Sequence, residues 1–210
     1  MLAAMRARRS IRRFRPGPVD EATIAAICEA AYRAPSGTPE RGIWIVAVDD
    51  PAIRRDVRDR CRPMEEAFLH TCPDAERERI LALPGNDPEL TFLTVAPWLL
   101  VVANETANRA YRHPVESAWA AIANVALAAS AFGLGTFPYS PEILRLVGQR
   151  ALHDLFGLPR EKRIQALMPI GWPDAAHAPP AAPDPSVAKV FRNRFGAPDG
   201  LEDGAGDDAA

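Results

Sequence analysis

From Ala118 to Tyr139 the chain carries no charged residue and is almost wholly apolar. A stretch of that length has two physical solutions, a bilayer span or a helix buried on every side. Alanine dominates it, Asn124 and Ser130 interrupt it, and Gly133-Leu134-Gly135 closes it. Those residues favour a buried helix over Ala118–Phe132, with Pro114 as the first helical residue and Gly133 as the stop. A chain of 210 residues suits one domain, and 48% apolar with 25% charged residues excludes disordered, collagen-like and coiled-coil classes.

Around that helix the remaining elements follow from spacing. Asp20 caps a helix over Glu21–Tyr32, where Ile24, Ile27 and Ala31 recur on one face. Ile43–Val48 reads as a buried strand ended by Asp49-Asp50-Pro51. Ala52–His70 and Asp74–Leu83 read as helices, and residues 54–90 as a variable helical region. Phe92–Ala103 reads as an apolar strand interrupted by Pro97, which has no N–H to give a ladder. Pro141–Leu146 begins a further helix, Gly157-Leu158-Pro159 is a turn, and Ile164–Ile170 is a third strand. Residues 175–185 are proline-rich and extended, and residues 186–195 form a short last segment. Interspersed helices and strands give an α+β class with a small mixed sheet flanked by helices. The domain is expected to span residues 1–195, with residues 196–210 a disordered acidic tail.

The net charge of −2 conceals an asymmetry. Arg6, Arg8, Arg9, Arg12, Arg13 and Arg15 crowd the first fifteen residues without an acid. Asp199, Glu202, Asp203, Asp207 and Asp208 occupy the last fifteen without a base, and removing them turns −2 into +3. A basic start of this kind suits an anion site, a nucleic-acid arm, a targeting peptide or a solvated arm. No aromatic interleaving supports nucleic acid. Cys28, Cys61 and Cys72 are too few and odd for a disulfide framework, which points to a cytoplasmic protein. No apolar leader follows the arginines, and no membrane span is expected.

Most motifs that carry chemistry are missing. There is no phosphate-binding Gly-x-x-x-x-Gly-Lys loop, no serine-nucleophile elbow and no zinc helix motif. Cys61, His70 and Cys72 lack metal-ligand spacing, so no metal site is expected. Two segments remain. Arg8-Arg9-Ser10-Ile11-Arg12 offers guanidinium forks and a hydroxyl suited to a phosphate. Ala34-Pro35-Ser36-Gly37-Thr38-Pro39 is a loop of small residues that lets backbone approach a planar ring.

In this order the two segments resemble the nitroreductase family. The strand ending Asp49-Asp50-Pro51, the run Asn124–Ala129 followed by Gly133-Leu134-Gly135-Thr136, the ending Ile170-Gly171-Trp172-Pro173 and Asn193-Arg194-Phe195 are similar too. The resemblance covers roughly residues 5–196. It implies a homodimer binding FMN at its interface, with the long helix in the dimer core. It implies Arg8, Arg9, Ser10 and Arg12 at the phosphate and ribityl chain, and Pro35, Ser36, Gly37 and Thr38 of the other subunit on the flavin ring. It further implies a backbone amide near flavin N5 at Pro138, Tyr139 or Ser140. The implied activity is hydride transfer from NADH or NADPH through flavin N5 to a small-molecule nitroaromatic, quinone or activated alkene. The flavin carries the chemistry, and no side chain is assigned as a catalytic acid or base. Phe68, His70 and Tyr111 could line the pocket or simply pack.

The chain also departs from the family pattern. Pro39 stands where relatives carry Asn, and Arg41 where they carry Gln, so Arg41 brings positive charge towards the ring. Pro141 replaces a frequent glycine. The position where relatives often carry a late basic residue for the phosphate falls near Pro183-Asp184, so that contact is missing, with Lys189 or Arg192 as candidate substitutes. These departures keep open a specialised member, such as a flavin-fragmenting enzyme, oxidase or dehydrogenase, or a non-catalytic flavin binder.

Overall fold

The fold is organised around a long strand, β5 (Lys162–Pro173), which pairs antiparallel with β3 (Trp98–Glu105) from Trp98↔Ile170 to Glu105↔Lys162. The computed structural model describes residues 2–37, 42–82, 86–105, 113–139, 149–176 and 181–182. Met1–Pro180 forms one compact unit, and of a second, Ala181–Ala210, only residues 181 and 182 are described. β2 (Ile43–Val48) lies on the far side of β3. Two short strands, β1 (Phe14–Arg15) and β4 (Gly135–Thr136), join the C-terminal end of β5, giving five strands among the described residues. Every strand pair is antiparallel, and the parallel pairing among the described residues is the isolated bridge Ser10↔Thr136.

β3 reads as a continuous apolar run because both its faces are covered. Leu100 and Val102 join one core with Ile24, Ile27, Ile122 and Val125, whereas Leu99, Val101 and Ala103 join another with Val57, Cys61, Leu93 and Leu152. The first core lies under α2 (Glu21–Tyr32) and α6 (Pro114–Ala131). The second lies under α3 (Pro51–Thr71), α5 (Phe92–Val95) and α7 (Gln149–Phe156). Fully burying a side chain such as Ile27 stabilises the fold by roughly 2 kcal/mol.

Local capping sets the helix limits. Asp20 accepts the Thr23 N–H at 2.8 Å, and Asp50 accepts the Ala52 N–H at 2.7 Å. Gly133 adopts φ +72°, a left-handed turn that glycine tolerates, and Leu134 N donates back to Ala129 O at 2.9 Å. Ser117, Ala118, Ala121, Ile122, Val125, Ala126 and Ala129 form the buried stripe of α6. Burial is one-sided within the chain: Val115, Trp119 (41% exposed) and Ala123 face outward. Full burial, as read from the sequence, requires something beyond this chain on that face.

The strand expected over Phe92–Ala103 is corrected at its start. Phe92–Val95 is α5, and β3 begins only at Trp98, directly after Pro97. The Asp87 carboxylate accepts both the N–H (2.7 Å) and the hydroxyl (2.5 Å) of Thr91, starting a helical turn that β-favouring residues alone would not choose. The helix over residues 74–83 ends earlier, as α4 (Asp74–Leu81). An N-terminal helix, α1 (Leu2–Ala7), precedes the arginine segment. The expected helix over 141–146, the segments over 183–195 and the acidic tail lie outside the described residues. No described helix is long and apolar enough to cross a membrane.

Candidate functional site

The arginine segment leaves α1 and is stitched onto β4. Ser10 bridges Thr136, and Ile11 N donates to Thr136 O at 3.1 Å. The contact depends on Gly135, where an added Cβ would stand 2.7 Å from Ile11 Cβ. This approach sets the heights of the side chains on either side of Ile11. The Arg12 guanidinium lies over the Phe137 ring, 5.0 Å from its centroid. It is half-buried, and desolvation lowers its pKa from the usual arginine range. Among the described residues neither Arg8 nor Arg12 has a carboxylate partner. On the strand with which the segment pairs, the Thr136 hydroxyl is buried with no hydrogen-bond partner.

These features fit a bound anion. A half-buried cation without a carboxylate partner and an orphaned buried hydroxyl are each costly, and a bound anion would compensate the cation. Thr136 and Phe137 were not assigned a role from the sequence. The available signal was the Gly133-Leu134-Gly135-Thr136 run, which aligns the strand but does not reveal that Ser10 pairs with it. Arg9 is used differently from its neighbours. Its NH1 donates to the carbonyls of Arg6 (2.7 Å) and Arg8 (2.8 Å), closing the end of α1. Arg13, which is partly exposed, reaches Asp87 (3.7 Å) and Asn86 O (2.9 Å). Arg15 stacks on Trp172 at 5.2 Å.

The Pro-Ser loop is held elsewhere. Gly37 N donates to Ser117 Oγ at 3.2 Å, at the first turn of α6. Pro35 is exposed and Ser36 half-buried. Beyond the loop, Gly42 O accepts from Glu105 N at 2.9 Å. The arginine segment, by contrast, sits past the last turn of α6. Ser117 and Ala131 are separated by roughly 20 Å along the axis at ~1.5 Å per residue. The sheet agrees, since Thr136 faces Ile170 while Glu105 faces Lys162, at opposite ends of β5. One chain therefore does not bring the two predicted halves together.

Of the three residues expected near a flavin nitrogen, Pro138 has no N–H. The Tyr139 N–H is taken by Leu167 O at 2.9 Å, and the Tyr139 carbonyl accepts from Leu167 N at 2.9 Å. The Tyr139 ring packs edge-on against Phe92 at 5.1 Å, and its hydroxyl donates to Glu65 at 3.0 Å. Burial first, then the Glu65 charge, raises its pKa. Burial likewise pushes the Cys61 thiol up to about 12. Thr38, Pro39, Arg41, Tyr111, Ser140 and Pro141 lie outside the described residues. Phe68 is half-buried and His70 exposed on α3. Among the described residues no group of three or more His, Cys, Asp or Glu could hold a metal ion.

Comparison with known proteins matches the model of the Nitroreductase family over residues 5–172. An iodotyrosine deiodinase of Thermotoga neapolitana is 28% identical over 171 residues, covering 80% of this chain and 85% of that protein. An NADH dehydrogenase of Thermus thermophilus is 32% identical over 181 residues, covering 79% of this chain and 83% of that protein. Among solved structures, oxidised iodotyrosine deiodinase bound to FMN and 3-iodo-L-tyrosine superposes with a TM-score of 0.79. It has 26% identity and covers 92% of this chain and 99% of that one.

Proposed function

The chain belongs to the nitroreductase family, and on that premise we propose that it is a homodimeric, FMN-dependent oxidoreductase. It takes hydride from NADH or NADPH and reduces a small organic acceptor of the nitroaromatic, quinone or activated-alkene class. The observation that carries the reading is the arginine segment: the Arg8 and Arg12 guanidiniums have no carboxylate partner among the described residues, and the segment pairs with β4, whose buried Thr136 hydroxyl has no hydrogen-bond partner. Arg8, Ser10 and Arg12 would hold the FMN phosphate and ribityl chain, with Arg9 bracing the segment through α1. Pro35, Ser36, Gly37 and Thr38 of the partner subunit would cover the ring, and Arg41 would bring positive charge towards it. The 137–140 segment would pass its edge, with Ser140 offering the amide that Pro138 and Tyr139 do not. Bound FMN would supply two-electron redox chemistry. The protein residues orient it and exclude water from it.

The homodimer belongs to this reading because the two half-sites lie at opposite ends of α6. A second copy on the Val115–Trp119–Ala123 face would supply each arm with a loop. The sparse, unpaired cysteines support a cytoplasmic setting. The test is an absorbance spectrum of the purified protein, with release and identification of the cofactor. The expected result is FMN, bleached anaerobically by NADH or NADPH. Loss of flavin on replacing Arg8, Arg9 and Arg12 together supports the phosphate assignment, and retention overturns it.

A second reading rests on the likeness to two iodotyrosine deiodinases. In it, the same site would remove halogen reductively from a halogenated phenol. Turnover of 3-iodo-L-tyrosine faster than that of a nitroarene or a quinone supports this second reading over the first.

A further inference from the structure

Arg13 lies next to Arg12, and its partly exposed side chain turns to partners of its own. Its NH1 stands 3.7 Å from Asp87 Oδ2 and its NH2 donates to Asn86 O at 2.9 Å. The Asp87 side chain is 5% exposed. The same carboxylate oxygen takes the N–H and the hydroxyl of Thr91. Between them, Leu90 is buried at φ +53°, a left-handed conformation that a leucine adopts only when its surroundings hold it there. Thr91 leads into Phe92, whose ring meets Phe137 edge-on at 4.9 Å. Phe137 is the ring that carries the Arg12 guanidinium.

Those contacts close a circuit. Arg12 rests on Phe137, Phe137 on Phe92, Phe92 on the turn held by Asp87, and Asp87 on Arg13. Two successive arginines therefore grip one packed unit, the first through an aromatic face and the second through a buried carboxylate. The main chain of Arg13 is fixed as well, since Asp174 N donates to its carbonyl at 3.1 Å. We propose that Asp87 and Arg13 are positioning residues for the anion site, setting the height at which Arg12 meets the phosphate without touching it. The proposal rests on the FMN reading above. It adds that part of the affinity for the phosphate is stored some distance away, in a loop between α4 and α5 that is remote in sequence.

The sign of the effect separates positioning from plain electrostatics. Removing the Asp87 carboxylate makes the region more positive, so through-space charge alone would tighten binding of an anion. Positioning requires that binding weaken. The experiment is a flavin-fluorescence titration of the flavin-depleted full-length protein with FMN and, in parallel, with riboflavin, which lacks the phosphate. For Asp87→Ala the expected result is about tenfold weaker FMN binding, with riboflavin changed by less than about twofold. Arg13→Lys retains the charge but cannot reach both Asn86 and Asp87, so it is expected to weaken FMN about threefold without altering riboflavin. It also serves if Asp87→Ala does not fold. FMN binding that is unchanged or tighter in either variant overturns the proposal. So does equal weakening of FMN and riboflavin, the mark of a general structural role. Absence of FMN binding by the unaltered protein overturns the FMN reading itself, and is distinct from a wild-type protein that binds FMN with insensitive variants.

Discussion

Arg8, Arg9 and Arg12 look equivalent in the sequence, and the structure separates them. Arg9 spends its fork on two backbone carbonyls, whereas the Arg8 and Arg12 side chains meet no acid among the described residues. Single replacements should therefore differ. Arg8→Ala and Arg12→Ala are each expected to weaken FMN by at least about tenfold, since a charge-assisted hydrogen bond contributes ~1.5–3 kcal/mol. Arg9→Ala should weaken it by less than about threefold while lowering the melting temperature slightly. Fluorescence titration and thermal melts of the three variants check this, and equal losses would contradict it. Cys61 gives a pH signature of a different kind. Its thiol rises from 9.0 to about 12 on burial, so above pH 9 the unfolded chain sheds a proton that the folded chain keeps. Stability should then fall with rising pH between 9 and 12, by up to ~1.4 kcal/mol per unit from this group. Urea denaturation at pH 8.5, 9.5 and 10.5 should show that slope, and it should flatten in Cys61→Ala.

At the scale of elements, long periodic segments were legible and two-residue ones were not. The helical spacing of Ile24, Ile27 and Ala31, and the proline and glycine bracketing the central helix, lead directly to α2 and α6. β1 and β4 hold two residues each, too few for any period, and exist only because β5 offers edges at its C-terminal end. The Phe92 run starts as a helix rather than a strand because Asp87, four residues before Thr91, imposes a turn on residues that favour strands. The Arg13–Asp87 contact spans 74 positions in the sequence, and no local pattern announces it. Two glycines near the end of α6 make the point testable. Gly133 needs its φ of +72°, but an added Cβ would meet nothing within 4 Å. Gly133→Ala should cost about 1 kcal/mol of stability and leave flavin affinity alone. Gly135 has the opposite problem, because its Cβ would collide with Ile11. Gly135→Ala should push the arginine segment off β4 and lose FMN, even in preparations that remain folded. Paired thermal melts and flavin titrations distinguish the two, and an unaffected Gly135→Ala would refute the stitched arm.

At the scale of the molecule, the deciding geometry is the separation of the arm from the loop. The arm and the loop are visible as sequence segments, but their placement at opposite ends of one helix is not, because it depends on where Ser117 and Thr136 fall in the fold. If each site joins the arm of one chain to the loop of its partner, two defective variants should complement. Take Arg8→Ala/Arg12→Ala, which disables the arm, and Ser36→Trp, which blocks the loop. Homodimers of either kind have no working site. A heterodimer pairs the intact arm of the second variant with the intact loop of the first, and so has one working site and one doubly defective site. Random exchange makes half of the dimers mixed, so FMN should return to roughly a quarter of all sites, as two-fold symmetry requires. The variants are mixed under conditions that dissociate the dimer, reassociated, and titrated with FMN. Recovery near that fraction identifies a shared site. No recovery, with mixed dimers demonstrated by native mass spectrometry, means that arm and loop serve the same chain or that the loop does not contact flavin, and either result removes the two-chain site.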